Sequence, residues 1–148
     1  MTKVILHPTD FSPRSNQALE VAVQLARQNQ SQLVVAHVVS LPTPPPLPYN
    51  EAALAAEEET RKEDIPAMMD AIQNHYSDVE ITTTTLEGKP ADQIISLARE
   101  TECDMIVMGT HGHGVRKLLM GSVSEEVMRK APCQVIPVRT PEMEPSVS

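Results

Sequence analysis

Four of the chain's five glycines and two of its five histidines fall in one fourteen-residue stretch, GTHGHGVRKLLMGS (109–122), directly behind the apolar run DMIVM (104–108). A glycine-rich loop behind a strand and ahead of a helix presents backbone N–H groups to a phosphate. Gly109, Gly112 and Gly114 permit positive φ and close approach of an anion. Arg116 and Lys117 add positive charge, and Ser122 is expected at the start of the last helix, near 123. The stretch lacks the Gly-Lys-Ser/Thr of a P-loop and does not follow the first strand, as a dinucleotide fingerprint would. Ser122 with Glu125 also reads as a capping box, which accounts for the serine without any ligand. His111 and His113 alternate as His-x-His, but with no third ligand nearby in sequence they make a weak metal site. Asp10, behind the first apolar run, is the other candidate. A carboxylate there can accept from a ribose or help hold magnesium, or it can serve only as an Asx turn or a helix cap.

These residues need a scaffold, and hydrophobic periodicity supplies one. KVILHP (3–8) is short, apolar and closed by Pro8, hence a buried strand. Ser12 and Pro13 read as N-cap and first residue of a helix to about Gln28, with Ala18, Val21, Ala22 and Leu25 on one face. QLVVAHVV (32–39) is a second strand, and LPTPPPLP (41–48) a stiff surface connection. An Ala/Glu-rich helix is expected over about 50–75, kinked or interrupted at Pro66, and VEITTTTL (79–86) is a third strand. Gly88 turns the chain and Pro90 opens a helix with Ala91, Ile94, Ile95 and Ala98 on one face. Strand four is DMIVMG (104–109), a helix covers about 123–130, and QVIPV (134–138) is strand five.

Alternating helices and continuously apolar strands predict an α/β fold: a doubly wound, five-stranded parallel sheet with helices on both faces. Ligands in such folds sit beyond the carboxyl ends of the strands where the winding reverses. If strands one and four flank that point, PTD (8–10) and GTHGHG (109–114) emerge side by side.

At 148 residues the chain is expected to form one domain over 1–140, with 141–148 a flexible tail. Only 2% of residues are aromatic, so the core must be aliphatic. A formal charge of −8 argues against a dedicated nucleic-acid binder. No apolar run approaches a membrane span, and the N-terminus lacks a signal-peptide pattern, so the expected location is cytoplasmic. Cys103 and Cys133 have neither metal-ligand spacing nor a disulfide framework and read as small buried hydrophobes at strand starts. Left as an edge, CQVIPV would expose an apolar strand, which gives strand 134–138 a motive to pair with a second copy as a homodimer. Pro137 must then face away from one ladder or sit at a break.

ILHPTDFSPRSNQAL, VVAHVV and DMIVMGTHGHGVRKLLMGSVSEEVMRKAPCQVIPVR together resemble the universal stress protein family, over nearly the whole chain. The resemblance implies a cytoplasmic, flavodoxin-like α/β domain that dimerises through its last strand and serves stress resistance or regulation. One branch of the family binds ATP through Gly-x2-Gly-x9-Gly-(Ser/Thr); another does not bind nucleotide. It implies that Gly109 and Gly112 open the motif, that Gly121 and Ser122 close it, and that Asp10 and the Val38 backbone meet ribose and adenine. Pro8, Thr9, Met108, His113, Gly114 and Val123 complete the cofactor-binding positions so implied. Magnesium would arrive with the phosphates, beside Asp10 or Ser122. Only eight residues, HGVRKLLM, separate Gly112 from Gly121, one fewer than in the pattern. A nucleotide-binding regulatory dimer is the expected function. The alternatives are a slow ATPase or autophosphorylating enzyme, and a dimeric interaction protein whose loop has lost its ligand. No downstream protein partner is legible.

Overall fold

The computed structural model describes residues 3–39, 64–110 and 117–139, with the backbone alone over 117–122. Strands β1 (Val4–Pro8), β2 (Gln32–Val39), β3 (Ile81–Glu87), β4 (Met105–Thr110) and β5 (Gln134–Arg139) alternate with helices α1 (Pro13–Asn29), α2 (64–75), α3 (Pro90–Thr101) and α4 (Lys117–Lys130). All pairings are parallel, in the order β3-β2-β1-β4-β5. That is the order of the first five strands in dinucleotide-binding sheets, and the winding reverses between β1 and β4.

The sheet is covered on both faces. Ile5, Leu33, Val35 and Val107 pack with Leu19, Ala22 and Val23 of α1 and Ile65 and Met69 of α2. Leu6, Val34, Ala36, Ile106 and Met108 pack with Ala91, Ile94 and Ala98 of α3 and Val127 of α4. Alternate residues of one strand thus serve opposite cores, which is why β1, β2 and β4 read as unbroken apolar runs.

Ser12 caps α1, its Oγ accepting from Ser15 N at 3.2 Å, with Pro13 in the first turn as expected. With glycine scarce, α1 and α3 end on Gln30 and Glu102 in left-handed conformation, where glycine is the usual choice. Strand ends shift by one or two residues: β1 begins at Val4, β3 runs from Ile81 to Glu87, leaving Val79 as a buried core residue before it, β4 runs from Met105 to Thr110, and β5 ends at Arg139. Pro66 lies in the described part of α2. The connection 41–48, the helical reading of 50–63 and the tail 141–148 lie outside the described residues.

The largest correction concerns α4. It starts at Lys117 rather than near 123, so Ser122 lies inside the helix and cannot be its N-cap. A capping-box pattern is only a local signal, and here a helix that starts earlier overrides it. The positive end of α4 starts six residues earlier in the chain than expected, about 9 Å at the rise of an α-helix.

Among the described residues no helix is long and apolar enough to cross a membrane, and no group of three His, Cys, Asp or Glu residues could hold a metal ion.

Candidate functional site

The site forms where β1 and β4 part. Their ladder has only two rungs, Ile5↔Met105 and Leu6↔Ile106. Above them the fully buried His7 imidazole takes over, with Nδ1 2.8 Å from the Val107 carbonyl oxygen. A carbonyl accepts only, so this contact fixes the proton on Nδ1. Nε2 is then a buried acceptor with no partner among the described residues. Burial holds the His7 pKa down to about 4, against the opposing pull of the Val107 carbonyl and Asp10.

Behind His7 the chain turns sharply into α1. Thr9 N donates to Ala36 O (2.7 Å), the last bond tying the end of β1 to β2. Thr9 Oγ1 accepts from Phe11 N at 2.9 Å, and Phe11 has φ 61°, a left-handed conformation rare for an aromatic residue. Asp10 Oδ1 accepts from Ser12 N (2.9 Å) and Ser15 Oγ (2.6 Å), while Ser15 Oγ accepts from Asp10 N at 3.1 Å. Burial works to raise the Asp10 pKa, but the Ser12 and Ser15 bonds outweigh it and hold the carboxyl below its usual range. His37 Nδ1 meets Thr9 O at 2.8 Å, and its ring lies 4.9 Å from that of Phe11. This network fixes the turn from three sides.

The second strand supplies the recognition edge. Leu33 N bonds Glu80 O and Val39 O accepts from Gly88 N, so odd-numbered residues of β2 address β3. Gln32 N bonds Lys3 O and Ala36 O accepts from Thr9 N, so even-numbered ones address β1. Val38, paired in register only with Leu86 of β3, therefore points its N–H and C=O to the β1 side, past the last β1–β2 bond. One donor and one acceptor from a single residue open into the crevice.

Gly109 needs a different explanation from the expected one. It is not among the residues with positive φ; a Cβ there would lie 3.1 Å from Arg14 O and 3.8 Å from Ala18 Cβ. Its missing side chain lets the first turn of α1 lie against β4, so it serves helix–strand packing rather than an unusual backbone conformation.

The fold gathers Pro8, Thr9 and Asp10 of β1 and its turn, Val38 of β2, and Met108 and Gly109 of β4 at the carboxyl ends of three neighbouring strands. The Met108 side chain is buried in the core, so only its backbone can meet a ligand. Val123 packs against the α3/α4 core. Gly121 and Ser122 lie in α4, while His111, Gly112, His113, Gly114 and Arg116 lie outside the described residues. Sequence reasoning missed His7, Phe11, Ser15 and His37. A polar histidine inside an apolar run, His7 in KVILHP and His37 in QLVVAHVV, was the signal available for two of them.

The Universal stress protein family model matches residues 1–139. A universal stress protein of Methanocaldococcus jannaschii is 33% identical over 145 residues, covering 96% of this chain and 85% of that protein. Among solved structures, universal stress protein UspA from Lactobacillus plantarum superposes with TM-score 0.73 at 26% identity, over 93% of this chain and 97% of its own. A universal stress protein in complex with cAMP superposes with TM-score 0.68 at 24% identity, over 94% and 98% of the two chains. Strand order, the β1–α1 turn and a family match spanning the whole sheet converge: the chain belongs to the universal stress protein family.

Proposed function

We propose that this protein binds an adenine nucleotide, ATP with magnesium, at the carboxyl ends of β2, β1 and β4, and acts as a stress-response homodimer in the cytoplasm. The observation that carries the reading is the outward-facing N–H and C=O of Val38. Adenine offers N1 as acceptor and the N6 amino group as donor, the complement of those two groups. Asp10 uses Oδ1 within the turn, which leaves Oδ2 to accept from a ribose hydroxyl. The phosphates then run toward the N-terminus of α4, where helix N–H groups favour an anion. The family resemblance assigns Gly112, His113, Gly114, Gly121, Ser122 and Val123 to the same phosphates. Magnesium comes with the phosphates, and a cAMP-bound relative with the same fold supports adenine as the recognised moiety.

A carboxylate held below its usual range is a weak general base, so Asp10 favours binding over turnover, and any hydrolysis is slow. The test is calorimetric titration of nucleotide-stripped protein with magnesium-ATP and AMP, repeated on Val38→Pro and Gly112→Val. Proline at 38 deletes an N–H that no ladder bond uses and places its ring where the adenine edge would sit. Saturable wild-type binding, lost by both variants with circular dichroism unchanged, is expected. No wild-type binding would leave the dimeric interaction protein as the reading.

The dimer rests on β5. Among the described residues it ends the sheet, and its ladder to β4 runs unbroken through Met108↔Pro137, so one side of an apolar strand has no neighbouring strand there. Antiparallel pairing with its two-fold mate would cover it. Sedimentation at twice the chain mass is expected at micromolar concentration; a monomer there would remove this part of the proposal.

A further inference from the structure

Cys103 and Cys133 are 30 residues apart in sequence and meet in the fold with Sγ atoms 3.5 Å apart, both as free thiols. Cys103 follows α3 and precedes β4, and Cys133 follows α4 and precedes β5. The pair therefore closes the amino ends of two adjacent parallel strands, at the opposite end of the sheet from the nucleotide crevice. We propose that Cys103 and Cys133 form a reversible intramolecular disulfide with a low-molecular-weight disulfide as oxidant, stapling together the two ends of the β4–loop–α4 segment.

The geometry favours this specific bond. A disulfide needs sulfurs about 2.05 Å apart, and atoms already in contact require only a small approach. Both cysteines lie where strands begin, so their backbones are held by the adjoining β4–β5 ladder rather than by free loops. Their exposures differ: Cys103 is buried and Cys133 half-buried. That difference sets the order of events. The Cys133 thiolate attacks one sulfur of the oxidant, forming a mixed disulfide and releasing one thiolate. The Cys103 thiolate then attacks the Cys133 sulfur, the mixed bond breaks, and the second thiolate leaves. Two protein thiols lose two electrons and two protons, and one oxidant molecule becomes two thiols.

Burial pushes the Cys103 thiol up to about 12, helped by the neighbouring Cys133 sulfur and by the Asp104 carboxylate; burial and Asp104 also raise Cys133. Among the described residues, Thr101 pulls the other way, toward the Cys103 thiolate. Few thiolates exist at neutral pH, so closure is slow and takes place only where oxidant persists. Once closed, the bond makes residues 103–133 one covalent ring that contains β4 and α4, which restricts the unfolded chain and so favours the folded one.

The full-chain protein, reduced and then incubated with oxidised glutathione, gives the test. Expected are simultaneous loss of both thiols, an intact mass lower by two hydrogens, and a peptide joining Cys103 to Cys133 within a single chain. The melting temperature should rise by about 7–15 °C, the range for a bond closing a loop of this length in a chain of this size, and return with dithiothreitol. Cys103→Ser should stop at one glutathione adduct on Cys133, and Cys133→Ser should react far more slowly. A wild type that halts at the mixed adduct, cross-links between chains, or reacts only in denaturant would overturn the proposal. A cross-link that leaves the melting temperature unchanged would overturn the staple.

Discussion

Replacing Gly109 with valine is expected to lower the melting temperature by several degrees and to weaken nucleotide binding at least tenfold. A Cβ at 109 stands 3.1 Å from the backbone oxygen of Arg14, and a backbone atom in the first turn of α1 cannot swing away as a side-chain tip can. The two further methyls of valine deepen the overlap. Overpacking of this kind costs about 1–3 kcal/mol, while the better strand propensity of valine returns less than about 1 kcal/mol, so destabilisation wins. The binding loss has a separate cause. Moving α1 away from β4 carries Ser12 and Ser15 with it, and these two residues aim the Asp10 carboxylate. Gly109→Ala, with one carbon instead of three, should show both effects in weaker form. Thermal melts and titration of the two variants together check the account. A valine variant as stable as the wild type would mean that α1 does not press on β4 as described.

The second large effect is acid sensitivity centred on His7. An unfolded histidine titrates near its ordinary value of 6.5, whereas in the folded chain burial holds His7 down to about 4. Between those values the unfolded state binds a proton that the folded state refuses, so stability rises with pH there. The contribution is fully present above about pH 6.5 and is lost as pH falls toward 4, amounting to about 3 kcal/mol at 1.36 kcal/mol per pKa unit. Asp10 acts further down: its folded pKa lies below 3.8, so its share is lost only as pH falls through that lower value. Urea unfolding midpoints from pH 7 to pH 4 should therefore fall steadily in the wild type. His7→Gln keeps a side-chain N–H for Val107 O but cannot ionise, and its decline over the same range should be much shallower. Parallel curves for the two proteins would show that His7 is not the buried neutral base described.

Elements whose signals are local were legible from the residues alone. Ser12–Pro13 and Pro90 start helices because proline loses nothing in a first turn, and the observed helices start there. Apolar runs in β1, β2 and β4 announced strands buried on both faces, and alternation with helices announced the parallel sheet; that its winding reverses between β1 and β4 was only a condition there, and the strand order meets it. The start of α4 was misplaced because Ser122 and Glu125 imitate a cap, and local pattern does not reveal where a helix gains enough packing to begin. The candidate site was only half legible. Asp10, Val38 and Gly109 sit at the ends of the strands that the pattern implied, but the chemistry that fixes them comes from residues far apart in sequence. His7 reaches a carbonyl 100 residues away, and His37 reaches Thr9 across 28. Phe11 adopts its left-handed turn because Thr9, Asp10 and Ser15 bond around it, which no propensity of phenylalanine foretells.

The sequence by itself determined the order of strands and helices, the two-faced burial of the sheet and the end of it where a ligand would sit, because each follows from periodicity and turn chemistry within a few residues. Only the tertiary structure decided that Gly109 makes room for α1, that Val38 turns its backbone into the crevice, and that Cys103 touches Cys133. Those depend on which strands become neighbours and in what register, a choice made by the packing of the whole chain.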